Sequence, residues 1–145
     1  MFRNWLSGSR DLYLSSSDIN ELSFSKPQKL GNGTWKLNGC PMDGGGIAVG
    51  PDERVQTVWQ REGKIYYAQP LKPEEQIGEG RGCSIIVGKN PIISWQDGKD
   101  LKLKELNTGE AIIIGNGNSL KVIMTKDMKL LCTWEKEDKI LCRKL

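Results

Sequence analysis

Histidine is absent from all 145 residues. That removes Ser-His-Asp and Cys-His catalysis, and histidine-ligated zinc with them. Cysteine is sparse. Cys40, Cys83, Cys132 and Cys142 include no CxxC pair, so nothing points to a thiolate metal site. No apolar run approaches the roughly 18 residues of a membrane span. The start, Met1-Phe-Arg-Asn-Trp-Leu6, lacks a signal-peptide apolar stretch and reads as the middle of a strand. Charge of one sign is also scarce: 21 basic against 18 acidic residues leave a net +3, with no Arg-rich run, which argues against a nucleic-acid partner. No segment holds a 3.6-residue apolar period over three turns, so little helix is expected. Any chemistry must come from carboxylates, Arg, Lys, Tyr or a thiol, and no cofactor fingerprint is present.

What the chain does contain is a repeat. Trp recurs at 5, 59, 95 and 134, each time ending a short β-prone run. A polar turn follows, then a second run. Ile65, Leu101 and Ile140 lie six residues after their Trp, and Leu12 lies seven after Trp5. Gly-x-Gly recurs as Gly31/Gly33, Gly78/Gly80 and Gly115/Gly117, each followed by another apolar run. The unit reads as strand A, turn, strand B ending in Trp, hairpin, strand C, turn, strand D with Gly-x-Gly. Four short antiparallel strands in roughly 40 residues is the signature of a propeller blade. The expected fold is all-β: one partial β-propeller domain over 1–145, with blades near 1–33, 45–80, 83–117 and 119–145. That makes about 3.5 four-stranded antiparallel blades, two full and two partial. The four Trp residues are expected in the core, since repeats share packing before function.

The stretch Gly31–Gly46 interrupts the period. It carries about ten residues more than its counterparts, and its glycines surround Trp35, Lys36, Met42 and Asp43. A linker would be Gly and Ser with little else. This composition suits a shaped loop, and the repeat places it on the face that bears the turns after each Trp.

Ser16-Ser-Asp18-Ile-Asn20-Glu-Leu-Ser23-Phe24 resembles the Asp box, Ser-x-Asp-x-Gly-x-Thr-Trp, of bacterial neuraminidase repeats; Asn20 replaces the glycine and one residue is inserted. The run from Phe2-Arg-Asn through Ser9-Arg-Asp-Leu-Tyr-Leu and Lys29-Leu-Gly-x-Gly-Thr-Trp-Lys-Leu to Cys-Pro-Met-Asp-Gly-Gly-Gly46 is similar to bacterial secreted proteins labelled sialidase-like. The likeness is strongest over 1–70. It implies a six-bladed propeller, an extracytoplasmic setting and a carbohydrate ligand. It also implies that Arg3, on strand B before the Asp box, binds a carboxylate. No Arg-Ile-Pro motif and no tyrosine after Tyr67 is present, so the late tyrosine nucleophile of sialidases has no counterpart.

Asp43, flanked by Met42 and Gly44, is the best carboxylate for catalysis or for sugar hydroxyls. Arg3, Arg10, Trp35, Met42 and Arg61 are the substrate-binding candidates. The arginines could grip a carboxylate, and the Trp could stack on a sugar face. The functional readings are a sialidase-like protein acting on or binding glycans, or a non-catalytic propeller that binds polysaccharide or protein. Pairing Trp134 with Ile140 would set Cys132 opposite Cys142, as two buried thiols or a cross-strand disulfide. The first unit begins at strand B, Phe2–Leu6. The last ends at strand C, Ile140–Leu145. The expected strand count is therefore three, four, four and three, as in the C-terminal half of a longer propeller. Open blade edges of that kind invite self-association.

Overall fold

The computed structural model describes residues 1–145 and contains no helix. Its 14 strands form four antiparallel sheets of three, four, four and three strands. The first holds β1 (Phe2–Arg3), β2 (Leu12–Leu14) and β3 (Gln28–Lys29). The second holds β4 (Gly46–Val49), β5 (Val55–Arg61), β6 (Lys64–Ala68) and β7 (Glu75–Glu79). The third holds β8 (Arg81–Val87), β9 (Pro91–Asp97), β10 (Asp100–Glu105) and β11 (Ile112–Asn116). The fourth holds β12 (Asn118–Met124), β13 (Leu130–Lys136) and β14 (Lys139–Lys144). Each sheet is a meander in chain order.

Both faces of the inner sheets are covered, so their central strands do not alternate between apolar and polar. In β5, Gln56, Thr57, Val58 and Trp59 are all buried. Polar members of these strands bond within the sheet. Thr57 Oγ1 donates to the Ala68 carbonyl at 2.6 Å, and the Ser84 and Ser94 hydroxyls meet at 2.7 Å. Such partners offset the cost of burial, though the indole Nε1 of Trp95 is buried without one.

Successive sheets are joined by one recurring contact. Trp59 packs with Leu12, Leu30 and Ala68 between the first and second sheets. Trp95 packs with Val58, Ile65 and Ile85 between the second and third. Trp134 packs with Leu101, Leu103 and Ile114 between the third and fourth. The first glycine of each Gly-x-Gly lies under the indole of the next sheet. A Cβ on Gly78 would stand 2.8 Å from Trp95 Cζ2, and one on Gly115 would stand 2.8 Å from Trp134 Cζ2. Real Cβ atoms do not come that close, so Trp and Gly are two halves of one joint. The second glycine takes φ 137° at Gly80 and 152° at Gly117, where the chain leaves one sheet for the next.

Trp5 departs from this scheme. It is 58% exposed and belongs to no buried cluster, contrary to the core position expected from the repeat. The hairpins explain why. The turns are Ser7-Gly8, Glu62-Gly63, Gly98-Lys99 and Glu137-Asp138, set by the pairings Leu6↔Ser9, Arg61↔Lys64, Asp97↔Asp100 and Lys136↔Lys139. Trp59, Trp95 and Trp134 stand three residues before the turn and Trp5 only two. One residue of offset sends a side chain to the opposite face. The outer face of the first sheet carries Phe2 stacked on Tyr13 instead, with centroids 6.1 Å apart. Strand pairing in β1 covers only Phe2–Arg3 rather than Phe2–Leu6.

The last hairpin corrects the expected cysteine register. Trp134 pairs with Leu141, Cys132 with Arg143 and Thr133 with Cys142. The two-residue turn shifts the expected pairs by one, so the two sulfurs lie on opposite faces. Cys132 is buried and Cys142 exposed, and all four cysteines are free thiols. Cys83 lies within β8.

Candidate functional site

The repeat register locates the insertion to the residue. Arg81 follows Gly80 directly and pairs with Gln96, and Asn118 follows Gly117 and pairs with Glu135. A backbone kink with positive φ comes next in each case, at Gly82 and Ser119. Gly46, Ser84 and Lys121 each pair with the residue before a Trp, so three places back the counterpart of Arg81 and Asn118 is Asp43, with the positive φ falling one place later, at Gly45. Nine residues, Thr34–Met42, therefore stand between Gly33 and Asp43 where the other units have none.

These residues dock on the first hairpin. Arg10 N donates to the Trp35 carbonyl at 2.8 Å, and Ser9 bridges Lys36. Lys36 Nζ reaches the Ser7 carbonyl at 3.3 Å. Asp11 is buried and holds the insertion from below. Its Oδ1 accepts from Trp35 N at 2.9 Å, and its Oδ2 pairs with Lys29 Nζ at 2.8 Å. Lys29 also donates to Thr34 Oγ1 at 2.7 Å. The stretch thus lies on the hairpin end, as the repeat implied.

Arg3 ties this end together. Its guanidinium donates to the carbonyls of Arg10 at 2.7 Å, Asp43 at 3.2 Å and Gln60 at 3.1 Å, and its Cζ lies 5.2 Å from the Trp35 ring centroid. Burial draws Arg3 below its ordinary pKa, while Asp43 and Asp11 act the other way. An arginine stays charged nonetheless. Arg10 lies over the Trp5 ring at 5.1 Å, which gives that exposed indole its place. The Nε atoms of Arg3 and Arg10 are buried and face no acceptor.

Trp35, Pro41, Met42, Asp43, Gln60 and Arg81 line a shallow cleft above this staple. Met42 is almost fully exposed at its rim. Asp43 Oδ2 lies 3.5 Å from Gly82 N, at the edge of hydrogen-bond range. The Gln60 amide and the Arg81 guanidinium have no partner within the protein. Cys83, on the buried side of β8, is pushed up to about 12 by burial, with Asp43 adding to the effect, so it is no nucleophile.

Arg3, Arg10, Trp35, Met42 and Asp43 are therefore brought together. Arg61 is not with them. It forms a bidentate ion pair with Glu74 and lies 4.0 Å over the Tyr66 ring, on the face of β5 that meets the first sheet. The Glu74 bonds raise its pKa. Sequence reasoning missed Gln60 and Arg81. Their signal was positional: Gln60 follows the repeated Trp, as Gln96 does, and Arg81 sits between two glycines.

A second polar cleft lies at the far end of the second and third sheets, lined by residues that include Gln56, Tyr67, Gln69, Asn90 and Lys104. Its buried polar groups satisfy one another. Gln56 Oε1 accepts from Tyr67 and from Gln69 Nε2, and Asn90 Nδ2 donates to Glu105 at 2.8 Å. That cleft calls for no ligand. The chain matches no protein-family model, no curated protein and no solved structure. No helix is long and apolar enough to cross a membrane.

Proposed function

We propose that the four sheets are blades of a sialidase-like β-propeller segment and that the cleft at its hairpin end binds glycan. One observation carries this reading: Gln60, exposed Arg81 and Asp43 line the same cleft as Trp35, and the Gln60 and Arg81 side chains take no hydrogen bond within the protein. An aromatic face beside a carboxylate, an amide and a guanidinium is the chemistry that holds a sugar, the ring on the indole and the hydroxyls on the polar tips. An unpaired guanidinium further favours sugars that carry a carboxylate.

Binding without hydrolysis is the better supported form. Most glycosidases use two carboxyl groups, about 5–5.5 Å apart for retention or roughly 6.5–9.5 Å for inversion. Asp43 is the one carboxylate lining this cleft. Asp11 is held by Lys29 and the Trp35 amide. The carboxylate-binding role implied for Arg3 passes to Arg81, because Arg3 already serves three carbonyls. An extracytoplasmic setting belongs to the same reading.

A glycan array probed with the purified chain tests it, followed by 4-nitrophenyl glycosides. Retention of acidic glycans without release of nitrophenol is expected. Trp35→Ala should abolish retention. If a folded protein binds no glycan, the reading fails. Turnover would instead select the hydrolytic alternative with Asp43 as its acid.

A further inference from the structure

Trp5, Arg10 and Trp35 stand side by side across the first hairpin and the insertion docked on it. The pairs Arg3↔Leu12 and Leu6↔Ser9 set Trp5 opposite Arg10. The bridge Ser9↔Lys36, with Arg10 N donating to the Trp35 carbonyl, sets Trp35 opposite Arg10 on its other side. Opposite residues of neighbouring strands share a face, and so do alternate residues of one strand. Arg3 and Leu12 therefore share the face of Trp5, Arg10 and Trp35. Arg3 reaches the Gln60 carbonyl at 3.1 Å and Leu12 packs with Trp59, so this face is turned to the second sheet. The opposite face, which carries Phe2, has no part in the row. At the hairpin tip the row emerges beside the cleft that Trp35 walls, with Trp5 58% exposed.

Arg10 lacks what other stacked arginines of the chain have. Arg3 lies over Trp35 and donates to three carbonyls. Arg61 lies over Tyr66 and is met by the Glu74 carboxylate. Arg10 lies 5.1 Å from the Trp5 ring centroid, but no carboxylate pairs with it and its buried Nε faces no acceptor. Asp11, next in the chain, points to the opposite face and is held by Lys29 and the Trp35 amide. A guanidinium stacked on an indole and short of an anion suits an acidic group brought by a ligand.

We propose that Trp5 and Arg10 form a second sugar subsite beside the cleft, and that the ligand is an oligosaccharide with an acidic group on the unit over Arg10. Trp5 and Trp35 are two strand spacings apart, about 10 Å, which is more than one pyranose ring spans. One sugar cannot stack on both. The acid is a carboxylate or a sulfate, since a guanidinium pairs with either. The subsite rests on the glycan reading of the cleft, which a single sugar can test alone.

Titrations of the folded chain, followed by its indole N–H resonances, decide the matter. The probes are galacturonic acid, its trimer, a sulfated galactose trimer and the neutral galactose trimer. The monomer should move the Trp35 signal and leave Trp5 in place. An acidic trimer should move both, and bind on the order of 100-fold more tightly than the monomer, one stacked ring and one charge-assisted bond being added. The carboxylated and sulfated trimers tell the two acids apart, and the neutral trimer should gain less than either. Trp5→Ala and Arg10→Gln should each weaken the trimer by roughly tenfold, with an unchanged circular dichroism spectrum. A monomer that binds and a trimer that gains nothing would overturn the subsite and leave the glycan reading standing. A gain that survives both substitutions would overturn it equally. If no probe moves either indole, the glycan reading and the subsite fail together.

Discussion

The junction between the second and third sheets and the junction between the third and fourth are assembled from matching parts. Each has a Trp on a glycine, a glutamine after the preceding Trp, and a polar residue just before the kink at the entry of the next sheet. They differ at the hairpin end. Gln96 Nε2 donates to Asn118 Oδ1 at 3.0 Å and to the Gly98 carbonyl at 2.8 Å, so the later junction is closed by its own side chains. In the earlier one, Arg81 replaces Asn118, so the oxygen that accepts from the glutamine Nε2 is missing, and Gln60 Oε1 takes no bond from the guanidinium. Gln60 and Arg81 stay open under Trp35. The same backbone thus gives a sealed joint in one place and a cleft in the other, through one exchange and a nine-residue insertion.

The largest expected effect tests the shared part. Trp95→Ala should cost about 3–5 kcal/mol in a urea melt, as for other large buried aromatics. Trp5→Ala, at an exposed site, should cost no more than about 0.5–1 kcal/mol. Comparable losses for both would put Trp5 in a joint and break the register derived from the turns. Circular dichroism should meanwhile show a sheet spectrum.

The second effect separates the junctions by pH. Cys83 occupies the position at the earlier junction that Leu120 occupies at the later one. Burial favours its neutral form. Its stabilising contribution is therefore whole below the ordinary thiol range and is lost as pH rises from about 9 toward about 12. The loss across that window should be on the order of 2–4 kcal/mol. Cys132, also raised by burial, adds in the same direction. Cys83→Ala should flatten the alkaline limb of a stability-against-pH curve. In the native protein at pH 8, a thiol reagent should label Cys40 and Cys142 quickly and spare the other two.

The third effect tests the difference directly. Arg81→Ala and Asp43→Asn should each weaken glycan binding by about 1.5–3 kcal/mol, the range for hydrogen bonds to charged groups. Gln96→Ala, in the sealed junction, should leave affinity unchanged. Equal losses from Gln96→Ala and Arg81→Ala would remove the cleft's claim to be the site.

Much of this was legible in the residues. The Trp and Gly-x-Gly spacings gave all-β sheets of three, four, four and three strands because the two motifs are the two sides of one contact, and contact partners must keep step. The insertion was legible as a break in that step. Trp5 was misplaced because a Trp after a β-prone run looks alike on either face. The seven residues from Trp5 to Leu12, against six elsewhere, were the sign that its parity differs. The Cys132 pairing failed for a related reason: register follows from turn length, and Glu-Lys-Glu-Asp-Lys does not announce which two residues turn. Gln60 and Arg81 were passed over because nothing in a chain says which polar tips will find partners. Only the neighbouring sheet settles that, by offering an asparagine at one junction and an arginine at the other.

The smallest effect concerns the turns themselves. Three of the four hairpins hold a glycine in the left-handed region: Gly8 at φ 75°, Gly63 at 74° and Gly98 at 59°. The fourth asks the same of Glu137 at φ 49° and Asp138 at 60°, with no glycine at all. A Cβ at positive φ is crowded by its own backbone, and two-residue hairpins of this twist favour Asn-Gly or Asp-Gly for that reason. Asp138→Gly should relieve the crowding while adding some freedom to the unfolded chain, and the two terms oppose each other. The balance should be a gain of about 0.5–1 kcal/mol, read as a shift of the urea midpoint with no change in slope. The same change at Glu62, already followed by Gly63, should gain less, since that turn has its glycine at the second position. If Asp138→Gly destabilises the protein, the last hairpin turns through other residues. The pairing of Trp134 with Leu141, and with it the exposed face of Ile140, would then have to be redrawn.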